Sequence, residues 1–407
     1  MNARRNTTQS RPAGLLSRFS RITTSGQFVP EIDGLRFLAI SSVVYHHVGD
    51  FFPRVTPPGY EFGGVGYGIA RVLSVGYLGV PLFFILSGFI LALPFASHRL
   101  HGTAPVKLSS YYARRLTRLE PPYVISMLFA FALFVWAGGW DARALFPHLL
   151  ASLTYTHNIL YNDASPLNRV AWSLEIEVQF YVLVPLLVSV FLLGPTRRRA
   201  LLATLVLACA WATAEIFPKV PWTIAQNLQY FATGFLLADL YLDGHLTGRQ
   251  PTLLWDAAAA ASVVAIVALA LVDRDSLAFH LVTPLGFLAV MIAAFRGRVL
   301  GAFCRNPVVT TVGGMCYSIY LWHPLMVVLT IRALRHVLPL TGVYAVDLLV
   351  VAAIATPLVL LPSAAFFAWI ERPCMDRTWP QRLAAALRGL VTETRGGSAR
   401  GPREPAL

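Results

Sequence analysis

The sequence predicts an all-α fold, a polytopic membrane bundle of about ten transmembrane helices with both termini in the cytoplasm. Of the 407 residues, 56% are hydrophobic and only 13% are charged, whereas soluble domains carry about 25% charged residues. Apolar segments long enough to cross a bilayer recur along the chain. They lie at about 35–52, 73–95, 122–138, 171–193, 200–217, 223–242, 254–272, 277–295, 308–331 and 346–370.

The distribution of basic residues predicts the orientation of these helices. A net charge of +13 is compatible with nucleic-acid binding, but the cytoplasmic loops of membrane proteins are also rich in Lys and Arg. With the N-terminus in the cytoplasm, most of the 33 Lys and Arg residues fall in the tails and loops on the cytoplasmic side. We therefore expect two cytoplasmic termini, the lipid bilayer as a partner and no nucleic acid.

Two tails are predicted to flank the membrane domain, which covers residues 31–378. Residues 1–30 are rich in Arg, Ser and Thr and lack an apolar core segment, so we expect a disordered cytoplasmic tail. Residues 379–407 are expected to form a basic, mostly disordered cytoplasmic tail. Within it, Leu383–Leu390 has the pattern of an amphipathic turn on the membrane surface.

One apolar stretch, at residues 145–160, is too short and too polar for a clean span. It is interrupted by His148, His157 and Asn158, and we interpret it as re-entrant or interfacial. A full span there would move every later loop to the other side and largely abolish the charge asymmetry.

Cysteine spacing gives no sign of a metal site or a disulfide. Paired spacings typical of zinc ligands are missing from the sequence, so we expect reduced thiols and no metal. The four cysteines are Cys209, Cys304, Cys316 and Cys374.

The first apolar segment carries an arginine and a histidine on one helix face. Arg36 and His47 are eleven residues apart, so on an α-helix they differ by about 20° in direction and about 16 Å along the axis. Ionisable groups inside a membrane are costly and by default functional. His47 is suited to act as a general base towards a hydroxyl, while the neighbouring His46 points about 100° away. The alternatives are a histidine hydrogen-bonded between helices and an arginine that extends to lipid phosphate.

A group of arginines precedes the third apolar segment. Arg118 follows Arg114 by four residues and Arg115 by three, so the three are neighbours on a helix. Their guanidinium groups suit bidentate contacts with a phosphorylated carrier such as coenzyme A. Anchoring to anionic lipid headgroups is an equally good interpretation.

Polar residues recur at helical intervals at the start of the fourth segment. Ser173, Glu177 and Tyr181 are four residues apart, so a carboxylate is expected to face the bundle between two hydroxyls. Glu177 is the candidate to orient a histidine or to bind substrate. Glu175 and Gln179 form a neighbouring polar stripe, in which an interfacial Glu175 can simply be solvated.

A polar and aromatic seam follows in the ninth segment. Tyr317, Tyr320 and His323 are spaced three residues apart, as expected either for the lining of a substrate channel or for ordinary interhelical hydrogen bonds.

Two further elements indicate packing or anchoring. Ser87 and Gly88 in the second segment permit close approach of another helix. Glu371 and Arg372, where the last segment ends, are interpreted as local anchors at the membrane boundary.

Taken in order, these elements resemble the acyltransferase-three family of bacterial integral-membrane O-acyltransferases, which includes O-antigen, exopolysaccharide, peptidoglycan and macrolide acylases. The resemblance spans about residues 31–376. It rests on an Arg and a His separated by ten residues (Arg36, His47), Ser-Gly-Phe (Ser87–Phe89), Arg-x-x-Arg (Arg115, Arg118), Trp-Ser-Leu-x-x-Glu-x-x-Phe-Tyr (Trp172–Tyr181), Ser-Tyr-x-x-Tyr-Leu-x-His with Cys316 in place of the serine, and Glu-Arg-Pro (Glu371–Pro373).

The resemblance implies transfer of an acyl group, usually acetyl, from an acyl-coenzyme A such as acetyl-CoA to a sugar hydroxyl in a cell-surface glycan or small glycoside. It implies that Arg115 and Arg118 hold the donor near the cytoplasm, while His47 activates the acceptor hydroxyl or relays the acyl group. It also implies a bacterial inner membrane, and no obligate protein partner is evident from the sequence.

A proton-coupled transporter or flippase of a glycolipid or small molecule is the alternative, because buried charges in ten helices suit that function as well. Such proteins often contain two matching halves. We find no internal repeat in the sequence, and the polar motifs concentrate in segments one to four and nine, which favours an enzyme.

Overall fold

The computed structural model consists of α-helices joined by short loops. It describes residues 18–22, 28–54, 56, 63–217, 223–248, 250–337, 341–376, 378–382 and 385. The helices are α1 (Pro30–Phe51), α2 (Gly63–Ser74), α3 (Gly79–His101), α4 (Leu108–Trp136), α5 (Ala142–Leu153), α6 (His157–Tyr161), α7 (Ala171–Leu187), α8 (Pro195–Glu215), α9 (Ile224–Leu242), α10 (Leu253–Val272), α11 (Leu277–Arg296), α12 (Val299–Cys304), α13 (Pro307–Gly314), α14 (Cys316–Val337), α15 (Tyr344–Phe366) and α16 (Arg372–Cys374). A π-helical turn, Phe367–Glu371, joins α15 to α16.

Within the described part of the chain, seven helical stretches are long and apolar enough to cross a membrane, so this is an integral membrane protein. They are Gly66–His101, Leu108–Trp136, Ala171–Leu192, Leu253–Val272, Leu277–Arg296, Cys316–Arg335 and Tyr344–Cys374. The other three predicted segments form α1, α8 and α9, whose apolar runs are interrupted. Asp33 and Arg36 lie in α1, Arg197–Arg199 begin α8, and α9 contains Gln229 and Asp239.

The third spanning helix is longer than its apolar run. The sequence predicts a span from residue 122, but α4 begins at Leu108 and continues through Pro121 and Pro122. Proline removes a backbone donor and usually ends a helix; here the buried side chains of Pro122 and Tyr123 hold the helix in the bundle. The group at Arg114–Arg118 therefore lies on the first turns of a membrane helix.

The stretch at residues 145–160 forms two short helices, α5 and α6. A left-handed residue, Tyr155 (φ 56°), separates them. The twelve residues of α5 reach about 18 Å, too short for a hydrocarbon core of about 30 Å, which is the geometry of a re-entrant or interfacial segment. Glu175 is fully buried beneath α6 and accepts the backbone N–H of Asn158 at 2.8 Å, so the interpretation of Glu175 as a solvated residue is wrong.

Part of the predicted N-terminal tail packs against the bundle. Phe19 and Ile22 contact the hydrophobic core, because these side chains give an otherwise polar segment something to bury. The guanidinium Nε of Arg372 donates to the carbonyl of Ser20 at 3.2 Å. In the predicted C-terminal tail, the turn at Leu383–Leu390 lies outside the described residues apart from Ala385.

The centre of the bundle is the crossing of α3 and α9. A Cβ on Gly88 would lie 2.3 Å from the carbonyl oxygen of Phe231, and one on Gly234 would lie 2.2 Å from that of Ile85. The two backbones therefore touch at glycine, as predicted for the Ser87–Gly88 pair. The ring of Phe180 on α7 stacks on Phe231 with centroids 3.9 Å apart, which brings α7 against α9.

Candidate active site

A cavity of about 890 Å³ opens between α1, α3, α4, α7, α14 and the α15–α16 junction. Its volume lies in the range of small-molecule sites. It brings together the following predicted site residues: Arg36, Arg114, Arg115, Arg118, Ser173, Glu177, Tyr181, Tyr317 and Tyr320. Of the residues that the structure describes, His47 and His323 are not among those that line it. We call the four arginines the basic end of the cavity, and Ser173 with Tyr320 the deep end.

Glu177 is held by two hydroxyls. Its Oε1 accepts hydrogen bonds from Ser87 Oγ at 2.6 Å and from Tyr181 OH at 2.7 Å. Bonds of this kind to a carboxylate are short and strong. The prediction that Ser173 and Tyr181 flank the carboxylate is thus half right: Ser87, which was predicted only to pack, takes the place of Ser173.

At the deep end, Ser173 joins α7 to α14. Its Oγ lies 2.6 Å from the hydroxyl of Tyr320, which also donates to the carbonyl of Val170 at 3.0 Å. Tyr317 donates in the same way to the carbonyl of Leu119 at 2.9 Å. Both tyrosines therefore line the cavity and make interhelical hydrogen bonds, and a role of the seam as a substrate channel stays a prediction.

Arg36 faces the cavity, and a residue of its own helix holds its guanidinium in place. Its Nη1 donates to Asp33 Oδ1 at 2.5 Å. A Cβ on Gly313 would lie 1.8 Å from the carbonyl oxygen of Asp33, so α13 rests directly on α1. The residues that follow α13, including Cys316 at the start of α14, therefore line the same wall of the cavity as Arg36.

The arginines of α4 line the opposite wall. The Arg115 guanidinium stacks 3.9 Å above the ring of Tyr111 and lies 5.4 Å from that of Tyr181, a cation–π arrangement that fixes a charge without neutralising it. Within the described part of the chain, the buried Nε of Arg118 has no hydrogen-bond partner. The basic end therefore presents guanidinium donors to a ligand in the cavity.

The two histidines lie beyond the deep end. The ring centroids of His47 and His323 are 5.2 Å apart, and His323 lies 5.6 Å from Tyr320. Nδ1 of the fully buried His323 contacts the carbonyls of Tyr320 at 2.9 Å and Ile319 at 3.1 Å. Carbonyls only accept, so Nδ1 carries a proton. Among the described residues, Nε2 of His323 has no hydrogen-bond partner.

His46 faces another direction, as predicted. Its Nδ1 lies 3.1 Å from the carbonyl of Leu73 on α2, and its ring is 5.0 Å from that of His47. Of the two adjacent histidines, His47 is therefore the one that packs against His323.

Sequence reasoning missed Glu371, which it interpreted as a boundary anchor. Its side chain is buried and lines the cavity. Oε2 accepts from the backbone N–H of Ser318 at 3.0 Å and from Ser318 Oγ at 2.5 Å, so it caps the first turn of α14. The sequence carries no signal for this contact, because 53 residues separate Ser318 from Glu371.

The described cysteines are free thiols. The described residues contain no group of three or more His, Cys, Asp or Glu side chains placed to hold a metal ion.

Comparison with known proteins identifies the family. A family model for an acyltransferase domain matches residues 29–368. The O-acetyltransferase OatA of Staphylococcus aureus strain NCTC 8325 is 24% identical over 360 residues, which cover 81% of this chain and 56% of the relative. A provisionally named O-acetyltransferase of S. aureus strain COL is 22% identical over 325 residues, covering 73% of this chain and 50% of the relative.

The chain thus spans about half the length of the curated relatives it matches, and no solved structure gives a significant match. The family match covers most of the sequence and runs from the start of α1 to the end of α15. The protein therefore belongs to the acyltransferase-three family.

Proposed function

We propose that this protein is a membrane O-acyltransferase that transfers an acetyl group from acetyl-CoA to a sugar hydroxyl of a cell-surface glycan or small glycoside. The observation that carries the proposal is the cavity, which joins a basic end suited to phosphates with a deep end where Tyr320 packs against His323, the neighbour of His47. The names of the relatives, which are O-acetyltransferases, support the same chemistry.

We infer ten membrane spans, with both termini in the cytoplasm of a bacterial inner membrane. Besides the seven clearly apolar stretches, α1, α8 and α9 have 22, 21 and 19 residues, about the length that a span requires. The distribution of Lys and Arg supports this orientation. The basic end of the cavity then faces the compartment that contains acyl-coenzyme A.

The donor enters from the basic end. Arg114, Arg115 and Arg118 bind its phosphates, since guanidinium groups pair with phosphate oxygens in bidentate fashion. The pantetheine arm extends past Glu177, whose carboxylate accepts hydrogen bonds from amide N–H groups of the arm. The thioester arrives at the deep end beside Tyr320.

His47 acts as the general base. It removes the proton from the acceptor hydroxyl while that oxygen attacks the thioester carbonyl carbon. The resulting adduct collapses by breaking the carbon–sulfur bond, and the departing thiolate takes the proton, so the products are the sugar ester and free coenzyme A. The ring of His323 packs 5.2 Å from that of His47 and holds the base in position. A transient acyl group on His47 is the alternative route.

The test is a measurement of thiol release by the purified protein. Acetyl-CoA is supplied with peptidoglycan fragments, a lipid-linked sugar or a macrolide glycoside, and coenzyme A is detected with a thiol-reactive dye. We expect release that depends on one acceptor, together with acetylation of that acceptor by mass spectrometry. Movement of a glycolipid across vesicles without thiol release would instead support a flippase.

A further inference from the structure

A short segment that precedes the family-matched region forms part of the cavity wall. Residues 18–22 lie before the match, which begins at residue 29, yet Arg21 and Ile22 line the cavity. Phe19 and Ile22 pack against the core, and Ser20 accepts a hydrogen bond from Arg372. A Cβ on Gly314 would lie 3.6 Å from that of Arg21, so the segment is seated against the start of α14.

The guanidinium of Arg21 is held next to another cation, and two of its nitrogens have no hydrogen-bond partner within the described part of the chain. Its Nη1 lies 3.8 Å from Asp33 Oδ1, but that carboxylate is already bound by Arg36 at 2.5 Å. Nε and Nη1 of Arg21 are buried and, within the described part of the chain, have no hydrogen-bond partner. Burial and the nearby Arg36 lower the pKa of Arg21 to about 9, so it remains a cation at neutral pH.

Cations outnumber acids around the cavity. In the part of the chain that the structure describes, six basic and three acidic side chains line it. One acid, Glu371, already accepts from Ser318, and another, Asp376, pairs with Arg382. A buried cation without its full set of acceptors is costly, and an anionic ligand would remove that cost. The six are Arg21, Arg36, Lys107, Arg114, Arg115 and Arg118, and the three are Glu177, Glu371 and Asp376.

We propose that Arg21 is a phosphate-binding residue of the donor site and that residues 18–22 form a wall of that site. This inference rests on the proposed function, because it takes the ligand to be a phosphate group of acyl-coenzyme A. Only 15% of the Arg21 side chain is exposed, and it shares the cavity with Arg118. A ligand inside the cavity therefore suits Arg21 better than a lipid headgroup outside it.

The experiment compares three variants of the full-length purified protein. Arg21→Gln removes the charge and Arg21→Lys keeps it. Arg18→Gln is the matched control, since Arg18 lies in the same segment with an exposed side chain. Titration calorimetry with coenzyme A and with adenosine 3′,5′-bisphosphate gives Kd, and thermal unfolding without ligand gives Tm. We expect Arg21→Gln to weaken both ligands about tenfold or more, with Tm unchanged. Arg21→Lys should retain most of the affinity, and Arg18→Gln should behave as wild type.

Three results would overturn the inference. They differ in whether they also contradict the proposed donor site or the proposed function. Wild-type affinity in Arg21→Gln, with affinity lost in Arg115→Gln, would overturn the role of Arg21 and leave the donor site standing. A lower Tm without ligand, with equal loss of affinity in Arg21→Lys, would make Arg21 a structural anchor. A wild-type protein that binds neither ligand would overturn the proposed function itself.

Discussion

The two ends of the cavity differ in how their polar groups are held. At the basic end, a carboxylate holds Arg36 and aromatic rings hold Arg115. Beyond the deep end, His323 donates from Nδ1 to a backbone carbonyl and packs its ring 5.2 Å from that of His47. Cations near an imidazole would weaken it as a base. The proposed function uses the separation along α1, about 16 Å between Arg36 and His47, to keep anion binding apart from proton abstraction.

The strongest test of this division is His47→Ala. If His47 is the base, acetyl transfer should fall by about a hundredfold or more, while the affinity for coenzyme A should stay at the wild-type value because the basic end is intact. Thiol release and calorimetry on the same preparation measure the two quantities. Full activity would show that His47 takes no part in the reaction. A loss of affinity for coenzyme A would show that the two ends do not act separately.

Removing charge at the basic end should have the converse effect. In the variant Arg115→Gln with Arg118→Gln, each charged hydrogen bond lost should cost about 1.5–3 kcal/mol, or about tenfold or more in Kd for coenzyme A. Turnover at saturating donor should change much less. Arg99→Gln is the matched control, because Arg99 is exposed and is not one of the cavity-lining residues. An unchanged Kd in the double variant would instead support the interpretation that these arginines anchor the protein to lipid headgroups.

The variant His323→Gln tests the contribution of the second histidine. Without the His323 ring, which packs 5.2 Å from that of His47, the base is held less firmly in position, so kcat should fall about tenfold, a fraction of what a general base contributes. The KM for acetyl-CoA should remain the same, and the exposed His101 changed to Gln should leave both quantities at wild type. A raised KM with normal kcat would instead make His323 a binding residue.

Cys316→Ser should have the smallest effect. This thiol lines the cavity but takes no part in the proposed steps, and serine restores the hydroxyl typical of the family. We expect kcat and the Kd for coenzyme A to change by less than about twofold. A tenfold loss of kcat would indicate a thioester formed on Cys316.

Periodicity along single helices predicted much of the site. The shared faces of Arg36 with His47, of Glu177 with Tyr181 and of Arg115 with Arg118 depend only on the helical repeat, and most of these residues do line one cavity. The all-helical membrane fold was likewise predictable from composition. The number of spans stays a prediction, because α1, α8 and α9 carry polar residues among their apolar ones.

Contacts between distant segments were not predictable. Ser87 and Glu177 are 90 residues apart, and Ser318 and Glu371 are 53 apart, so only the folded bundle pairs them. The passage of α4 through Pro121 and Pro122 and the docking of residues 18–22 on the helix ends have the same origin. In each case tertiary packing outweighs what the local sequence prefers.

The π-helical turn at Phe367–Glu371 has a consequence for the Glu-Arg-Pro element. A π turn contains one more residue than an α turn, so everything after it is rotated by about 100° relative to an uninterrupted α-helix. Without that surplus residue, the Glu371 carboxylate would swing away from α14 and leave the Ser318 amide without its acceptor. The extra residue in the last membrane helix thus sets the orientation in which Glu371 and the segment directly after it border the cavity.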